Sequence, residues 1–262
     1  MKKLIFLFTM VLTVSMVMAQ NNKSTIAANG DNNQAKIVQT GLDNYNELTQ
    51  TKNNIFELEQ TGEANYSKFK QALFGSNEAY VKQLGDRNTL AGNLQGEGNL
   101  LNLYQEGNDN WTRVYQDARG HEADIVQVGN FNKAEIKQDA PSSIIDIDLI
   151  GNNNQTYVNQ ENSTASNFNE AVVNITGDYN GDGTYGDARL EIWQDGIGNF
   201  ASTVIVGDYN DADISQEGNF NTAWNNVTGD MNVINVLQTG NDNYSMNTIV
   251  GSNNAIAVTQ GH

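Results

Sequence analysis

Apolar and polar positions alternate with a period of two along nearly the whole chain. The alternation is most regular from Asn210 to Asn232, N-D-A-D-I-S-Q-E-G-N-F followed by N-T-A-W-N-N-V-T-G-D-M. In the first of these eleven-residue units the first, third, fifth and seventh places (Asn210, Ala212, Ile214, Gln216) are uncharged. The second, fourth and sixth (Asp211, Asp213, Ser215) are polar, and Gly218 follows two residues after the seventh. Side chains on a strand point alternately to its two faces, and glycine supplies the positive φ that a tight turn needs. One unit therefore predicts one short strand and one turn.

Segments of this kind open at Asn22, Asn33, Asn44, Asn54, Asn65, Asn77, Asn88, Asn99, Asn110, His121, Asn132, Ser143, Asn154, Asn169, Ala188, Asn199, Asn210, Asn221, Asn232, Asn243 and Asn254. No Asp, Glu, Lys or Arg occupies the first, third, fifth or seventh place in any of them, whereas Lys36, Glu47, Lys68, Arg113, Asp146 and Asp213 sit on even places. Burying an unpaired charge is so costly that this exclusion marks the odd face as the dry one.

The seventh place fixes the size of one coil. It is Gln39, Gln50, Gln60, Gln71, Gln83, Gln105, Gln116, Gln127, Gln138, Gln160, Gln194, Gln216, Gln238 or Gln260 in most segments, and Ala28, Leu94, Leu149, Ile175, Ile205, Val227 or Ile249 in the rest. From Ser143 onward glutamine and aliphatic residues alternate strictly, so the true period is twenty-two residues. The fold class expected is all-β: a β-solenoid with rungs of about 22 residues, each two short strands and two turns, cross-β stacked at about 4.8 Å. In that stack the glutamines form ladders that pair N–H to C=O, and Leu149, Ile175, Ile205, Val227 and Ile249 form an interior aliphatic ladder. Asn33, Asn44 and the other opening asparagines, beside the turns, do the same or bond the turn backbone. About ten and a half rungs give a rod on the order of 50 Å long.

A disordered Asn- and Gln-rich chain does not require charge exclusion from alternate places. A hairpin-built sandwich does not require near-identical strands at constant spacing. Irregularities fall at turns: Ser163-Thr164-Ala165-Ser166 reads as a small surface loop, and Pro141 lies in the turn before Ser143. Residues 132 to 154 read as a seam between two halves of one solenoid.

Composition narrows the function classes. The formal charge is -17 and the pI about 4.3, which argues against electrostatic binding to nucleic acid. Cysteine is absent, so no disulfide framework or thiolate metal site is available. Lys2 and Lys3, the apolar run from Leu4 to Met18 and Val17-Met18-Ala19 form a signal peptide over residues 1–19, too short an apolar run for a bilayer span. Residues 20–262 then form a single solenoid domain. Asp178, Asn180, Asp182 and Gly183 match the first half of a calcium loop, but Arg189 stands where a bidentate Glu is expected, and G-D-Y-N recurs as an ordinary turn at Gly207 to Asn210. They are a weak calcium candidate. His121 replaces an opening Asn, the pair Asp146 and Asp148 lies on the solvent face, and no phosphate loop or nucleophile elbow occurs, so neither catalysis nor a cofactor is expected. Aromatic residues such as Tyr45, Tyr80, Trp193, Trp224 and Tyr244 occupy even places, where strand propensity accounts for them and lateral contacts could use them.

The unit N-x-A-x-I-x-Q-x-G, as in Asn33-Gln34-Ala35-Lys36-Ile37-Val38-Gln39-Thr40-Gly41, resembles the curlin repeat of bacterial curli subunits, with Asn33, Gln39, Asn132, Gln138, Asn210 and Gln216 at matching positions. The resemblance covers residues 22 to 262. It implies a secreted structural subunit of extracellular amyloid fibres at the surface of a diderm bacterium, supporting biofilm matrix and cell adhesion. The partners it implies are further copies of the chain, a nucleator subunit, periplasmic chaperones and an outer-membrane secretion pore. The chain departs from the family in having more repeats, in its aliphatic seventh places, and in having only Gln20 and Asn21 between the cleavage site and the first segment. Repeats without polar caps at either end predict open strand edges and head-to-tail polymerisation. The alternative is a monomeric β-solenoid adhesin or ligand-binding protein.

Overall fold

The computed structural model describes residues 21–139, 141–163, 167–181 and 190–261. The signal peptide expected over 1–19 lies outside them. Every described strand is parallel to its neighbours, and successive strands go alternately to two sheets. The eleven-stranded sheet holds β1 (Lys23–Ala28), β3 (Tyr45–Gln50), β5 (Tyr66–Gly75), β7 (Thr89–Glu97), β9 (Trp111–Gln116) and β11 (Lys133–Gln138). It continues through β13 (Gln155–Glu161), β15 (Leu190–Asp195), β17 (Asp211–Glu217), β19 (Val233–Thr239) and β21 (Ala255–Gly261). The ten-stranded sheet holds β2 (Gln34–Leu42), β4 (Ile55–Glu63), β6 (Glu78–Leu84), β8 (Leu100–Glu106) and β10 (Glu122–Val128). Its remaining strands are β12 (Ile144–Ile150), β14 (Glu170–Thr176), β16 (Phe200–Val206), β18 (Thr222–Thr228) and β20 (Tyr244–Val250). The molecule is the β-solenoid of about 22-residue rungs that the repeat predicts. Strand pairing runs in register through β11, β12 and β13, so the seam at 132–154 is a change of side-chain chemistry and not a break in either sheet.

Burial alternates along each strand as the charge exclusion requires. In β11, Ala134, Ile136 and Gln138 are buried while Lys133 is exposed. The in-register stack sets like on like: Leu149, Ile175, Ile205, Val227 and Ile249 form one continuous column down the ten-stranded sheet. Volume is also matched between rungs. Phe56 and Phe69 pack across the core with ring centroids 5.0 Å apart, and a Cβ on Gly92, the next residue in the column above Phe69, would lie 2.0 Å from the Phe69 ring. The missing side chain is what admits the phenyl group.

The turns have two special positions. The ninth place holds glycine at positive φ, for example Gly151 at +124°. The eleventh place is left-handed as well, and it is glycine only in a few segments, as at Gly98 and Gly120, while Asn153, Tyr209, Phe220 and Met231 all have φ of 57 to 58°. Left-handed backbone costs about 1–2 kcal/mol for an ordinary L-residue. Here each such residue donates its N–H to the rung below, as Phe220 does to the Ile197 carbonyl at 2.9 Å, and the stack holds the conformation.

Three departures from the repeat are absorbed locally. A bulge between Leu73 and Gly75 accommodates the longer segment at β5. Ser163, expected on a surface loop, is instead buried, with its hydroxyl against Ser143 Oγ at 3.0 Å and the Pro141 carbonyl; residues 164–166 lie outside the described residues. The segment ending in β15 opens at Asn180 and not at Ala188. Gln155 N–H donates to the Asn180 carbonyl and Gly181 N–H to the Asn210 carbonyl, both at 2.9 Å, the pattern made elsewhere by the first two places. The second place, Gly181, and the third, Leu190, are therefore separated by eight further residues in the sequence.

A Cβ on Gly151 would lie 1.9 Å from the Gly177 carbonyl oxygen of the next rung, and its φ disfavours any L-residue. Gly151→Ala is expected to lower stability by about 2 kcal/mol or more, read as a lower urea midpoint. An unchanged midpoint would contradict the stacked-turn geometry.

Candidate assembly surface built from amide columns

The seventh-place glutamines are fully buried for most of the length of the rod, and wherever one glutamine lies above another the two are bonded. In the ten-stranded sheet the Nε2 of Gln39 donates to Oε1 of Gln60, Gln60 to Gln83, Gln83 to Gln105 and Gln105 to Gln127, each at 2.8 Å. In the eleven-stranded sheet Gln50 donates to Gln71 at 3.0 Å. Higher up, Gln116, Gln138, Gln160, Gln194, Gln216, Gln238 and Gln260 are linked by bonds of 2.8–3.1 Å. The second N–H of each carboxamide reaches a strand carbonyl across the core, as Gln216 does to Phe200 at 2.9 Å. A buried amide normally costs several kcal/mol unless paired; here its donors and acceptor are met by copies of the same residue and by backbone.

The opening asparagines form two further columns with the opposite sense. Asn232 donates both its backbone N–H and its Nδ2 to Asn210 Oδ1 at 3.0 Å, and its Nδ2 also to the Gly251 carbonyl at 2.8 Å. Asn44 to Asn22 and Asn54 to Asn33 follow the same backbone pattern at 2.9 and 3.2 Å. Glutamine columns thus present carbonyl oxygens at the N-terminal end of the rod and N–H groups at the C-terminal end, whereas asparagine columns do the reverse. The rod is chemically polar along its axis.

His121 fills an asparagine slot by the same bonds. Its N–H donates to Asn99 Oδ1, its Nδ1 accepts from Ser143 N–H at 3.3 Å, and its Nε2 donates to the Asp117 carbonyl at 2.6 Å. Burial lowers its pKa, in keeping with an acceptor that must stay unprotonated.

A fifth column was not foreseen from the sequence. The tenth-place side chains Asp86, Asn108, Asn130, Asn152, Asp178, Asp208 and Asp230 each accept a turn N–H from the rung below. The recurrent Gly-Asp or Gly-Asn pair was the available signal. Of the described calcium candidate residues, Asp178 belongs to this column and Asn180 to the column of opening asparagines. Asp178 Oδ1 takes the Asn152 N–H at 2.6 Å, and the Asn180 carboxamide oxygen takes Asn210 N–H at 2.8 Å. Asp182 lies outside the described residues.

Where a column is interrupted, an acceptor is orphaned. Gln50 stacks on Ala28 and Gln116 on Leu94, and the Oε1 atoms of these two glutamines are buried without a partner. An orphaned buried acceptor costs about 1–3 kcal/mol. The second half avoids the problem in the ten-stranded sheet by replacing the amides with the aliphatic column.

The outer face is acidic towards the C-terminus: past Glu161 the sequence holds one cation, Arg189, against twelve carboxylates. Stacking lines carboxylates up. Desolvation, followed by the charge of Asp213, pushes Asp211 up to about 6, and desolvation with Glu191 pushes Asp213 up to about 6. Asp146 and Asp148 are raised by desolvation and then by neighbouring aspartates. Asp211 and Asp213 add stability that is fully present below their ordinary value of 3.8 and is lost as pH rises through about 6. Aromatic rings also stack between rungs, Tyr45 on Tyr66 at 5.2 Å on the outer face and Tyr179 on Tyr209 at 5.1 Å in the turns.

Among the described residues the core is incompletely covered at both ends. Ile26 in β1 and Ile256 and Val258 in β21, inward-facing residues of the kind buried elsewhere, are only half-buried. Residues 96–129, which contain β8, β9 and β10, match the family described as the curlin associated repeat. A comparison with curated proteins finds no match.

The interrupted column generates a direct test. Leu94→Gln would join Gln71 to Gln116, so stability is expected to stay within about 1 kcal/mol of the parent despite an amide placed in the core. Leu101→Gln, equally buried between Ala79 and Ala123, is expected to lose about 3 kcal/mol in urea unfolding. Equal losses would contradict pairing along columns.

Proposed function

We propose that this chain, of which residues 96–129 match the curlin associated repeat, is a member of the curlin family and the structural subunit of extracellular curli-like amyloid fibres, polymerising head to tail through its end strands. The observation that carries this reading is the pair of open ends. Among the described residues the two sheets stop at strand edges whose backbone donors and acceptors match those of the opposite end, with inward residues Ile26, Ile256 and Val258 half-covered. Unpaired strand edges template further strands, and the opposed sense of the amide columns makes joining directional. Gln260 offers N–H at one end, and Gln39 offers a carbonyl oxygen at the other. Two like ends would place donor against donor.

The protein acts by forming a rod and not by chemistry on a substrate. Secretion across the outer membrane, a nucleator, chaperones, and support of biofilm matrix and adhesion belong to this proposal as properties of the assigned family. The leader over residues 1–19 supplies export. The acidic outer face keeps separate copies apart above pH 6 and is relieved by protonation of the stacked carboxylates below it.

The chain from residue 20, purified from denaturant, is expected to form unbranched fibres with reflections near 4.7–4.8 Å along the axis and about 10 Å across it. The lag should be shorter at pH 5 than at pH 8, since the raised carboxylates gain protons on folding in that window. A chain that folds but stays monomeric in sedimentation at both pH values would support the solenoid adhesin instead.

A further inference from the structure

The two sheets have different strand counts, eleven and ten, because the repeat unit is half a rung and the described chain contains 21 of them. This parity governs how a second copy can sit on the first. Strand β21 ends the larger sheet and β20 the smaller, so the next vacant level of the solenoid lies over β20. If a second copy is added in the same orientation, its β1 lies over β21 and a full strand level over β20 is left empty. If it is added after a half-turn about the rod axis, its β1 lies over β20 and its β2 over β21, and both sheets continue without a gap. Resting on the head-to-tail reading above, we propose that successive copies are joined with this half-turn, each sheet of the fibre being built alternately from the ten-stranded and the eleven-stranded face.

The side chains at the ends agree with the strand count. After the half-turn, Gln260 lies beneath Gln39 of the second copy. Gln260 Nε2 spends one N–H on the Tyr244 carbonyl at 2.8 Å and accepts from Gln238 on its oxygen, and among the described residues no donor meets Gln39 Oε1. The amide column therefore crosses the joint with the same polarity it has inside each copy. The aliphatic column likewise continues, Ile249 meeting Ala28, and the third places pair Ser245 with Ser24. Asn247 against Ile26 is the one inward pair of unlike chemistry in the smaller sheet. Without the half-turn Gln260 would face Ala28, and the buried amide column would end at the joint in an unpaired N–H. Asparagine columns match in either arrangement, so the seventh place and the strand count select between the two.

Disulfide trapping in assembled fibres reads the joint directly, because the chain has no native cysteine. Fourth-place residues are exposed: Thr25 in β1, Met246 in β20 and Ala257 in β21. Adjacent strands about 4.8 Å apart bring such positions within the roughly 4.4–6.8 Å Cα separation a disulfide needs. Thr25 and the other two positions belong to opposite ends of one molecule, so only a second copy can bridge them. In the chain from residue 20, fibres carrying Thr25→Cys with Met246→Cys, oxidised and then dissolved without reductant, are expected to yield a ladder of covalent multimers. Fibres carrying Thr25→Cys with Ala257→Cys should yield about tenfold less. Ala27→Cys with Thr248→Cys, one pleat further along the same pair of strands, reads the same register should the first pair impair assembly. The reverse preference overturns the half-turn, and fibres that trap neither pair overturn strand-on-strand joining. A parent chain that forms no fibres overturns the polymer reading itself, an outcome that sedimentation distinguishes before any oxidation.

Discussion

Pairing of one carboxamide with the same carboxamide a rung above is the interaction on which the structure depends. A lone glutamine at 0% exposure, such as Gln160 or Gln194, would be a defect in an ordinary core. In a solenoid with a 22-residue period it becomes a partner for its own repeat, and the bond of 2.9 Å between these two survives an interval of 34 residues in sequence. The eight further residues between Gly181 and Leu190 in the sequence do not break the column, whose members keep their bonds on either side. Constancy of the odd places and freedom at the turns are thus two consequences of one requirement.

The same requirement does not end where the chain does. A column whose members each satisfy the next has an unsatisfied member at either extremity, and the donors at one extremity fit the acceptors at the other. Aliphatic packing has no such direction. The replacement of glutamine by Leu149, Ile175, Ile205, Val227 and Ile249 in one sheet shifts stabilisation towards burial while the opposite sheet keeps its polarity. On the outer face, carboxylates crowd together only because stacking aligns Glu191 with Asp213.

The fold was legible from the sequence because a period of two, a period of eleven and a period of twenty-two all point to the same stack. Gln194, Gln216, Gln238 and Gln260 stand at fixed places, and their alignment follows from counting. What the sequence does not carry is direction and exception. Nothing in the letters Asn and Gln says that their columns run in opposite senses, which depends on how each side chain reaches the turn or the strand. Counting back from β15 placed the segment opening at Ala188, because an insertion between the second and third places looks identical to a longer turn; only the bonds of Asn180 reveal it. Ser163 was read as exposed for a similar reason, its small polar side chain being compatible with a loop, whereas it is bonded to Ser143. Left-handed Phe220 and Met231 run against propensity and are explained by the rung below them.

Side-chain amide hydrogen exchange, followed by NMR on the folded chain, tests the central claim most directly. Carboxamide protons of Gln194, Gln216 and Gln238 are expected to exchange as slowly as the backbone amides of their strands, while those of the exposed Gln34 exchange at the rate of a free amide. If all four glutamines exchanged at that free rate, the carboxamides would be bonded to water and not to one another, and the account of the core and of the fibre would both be contradicted.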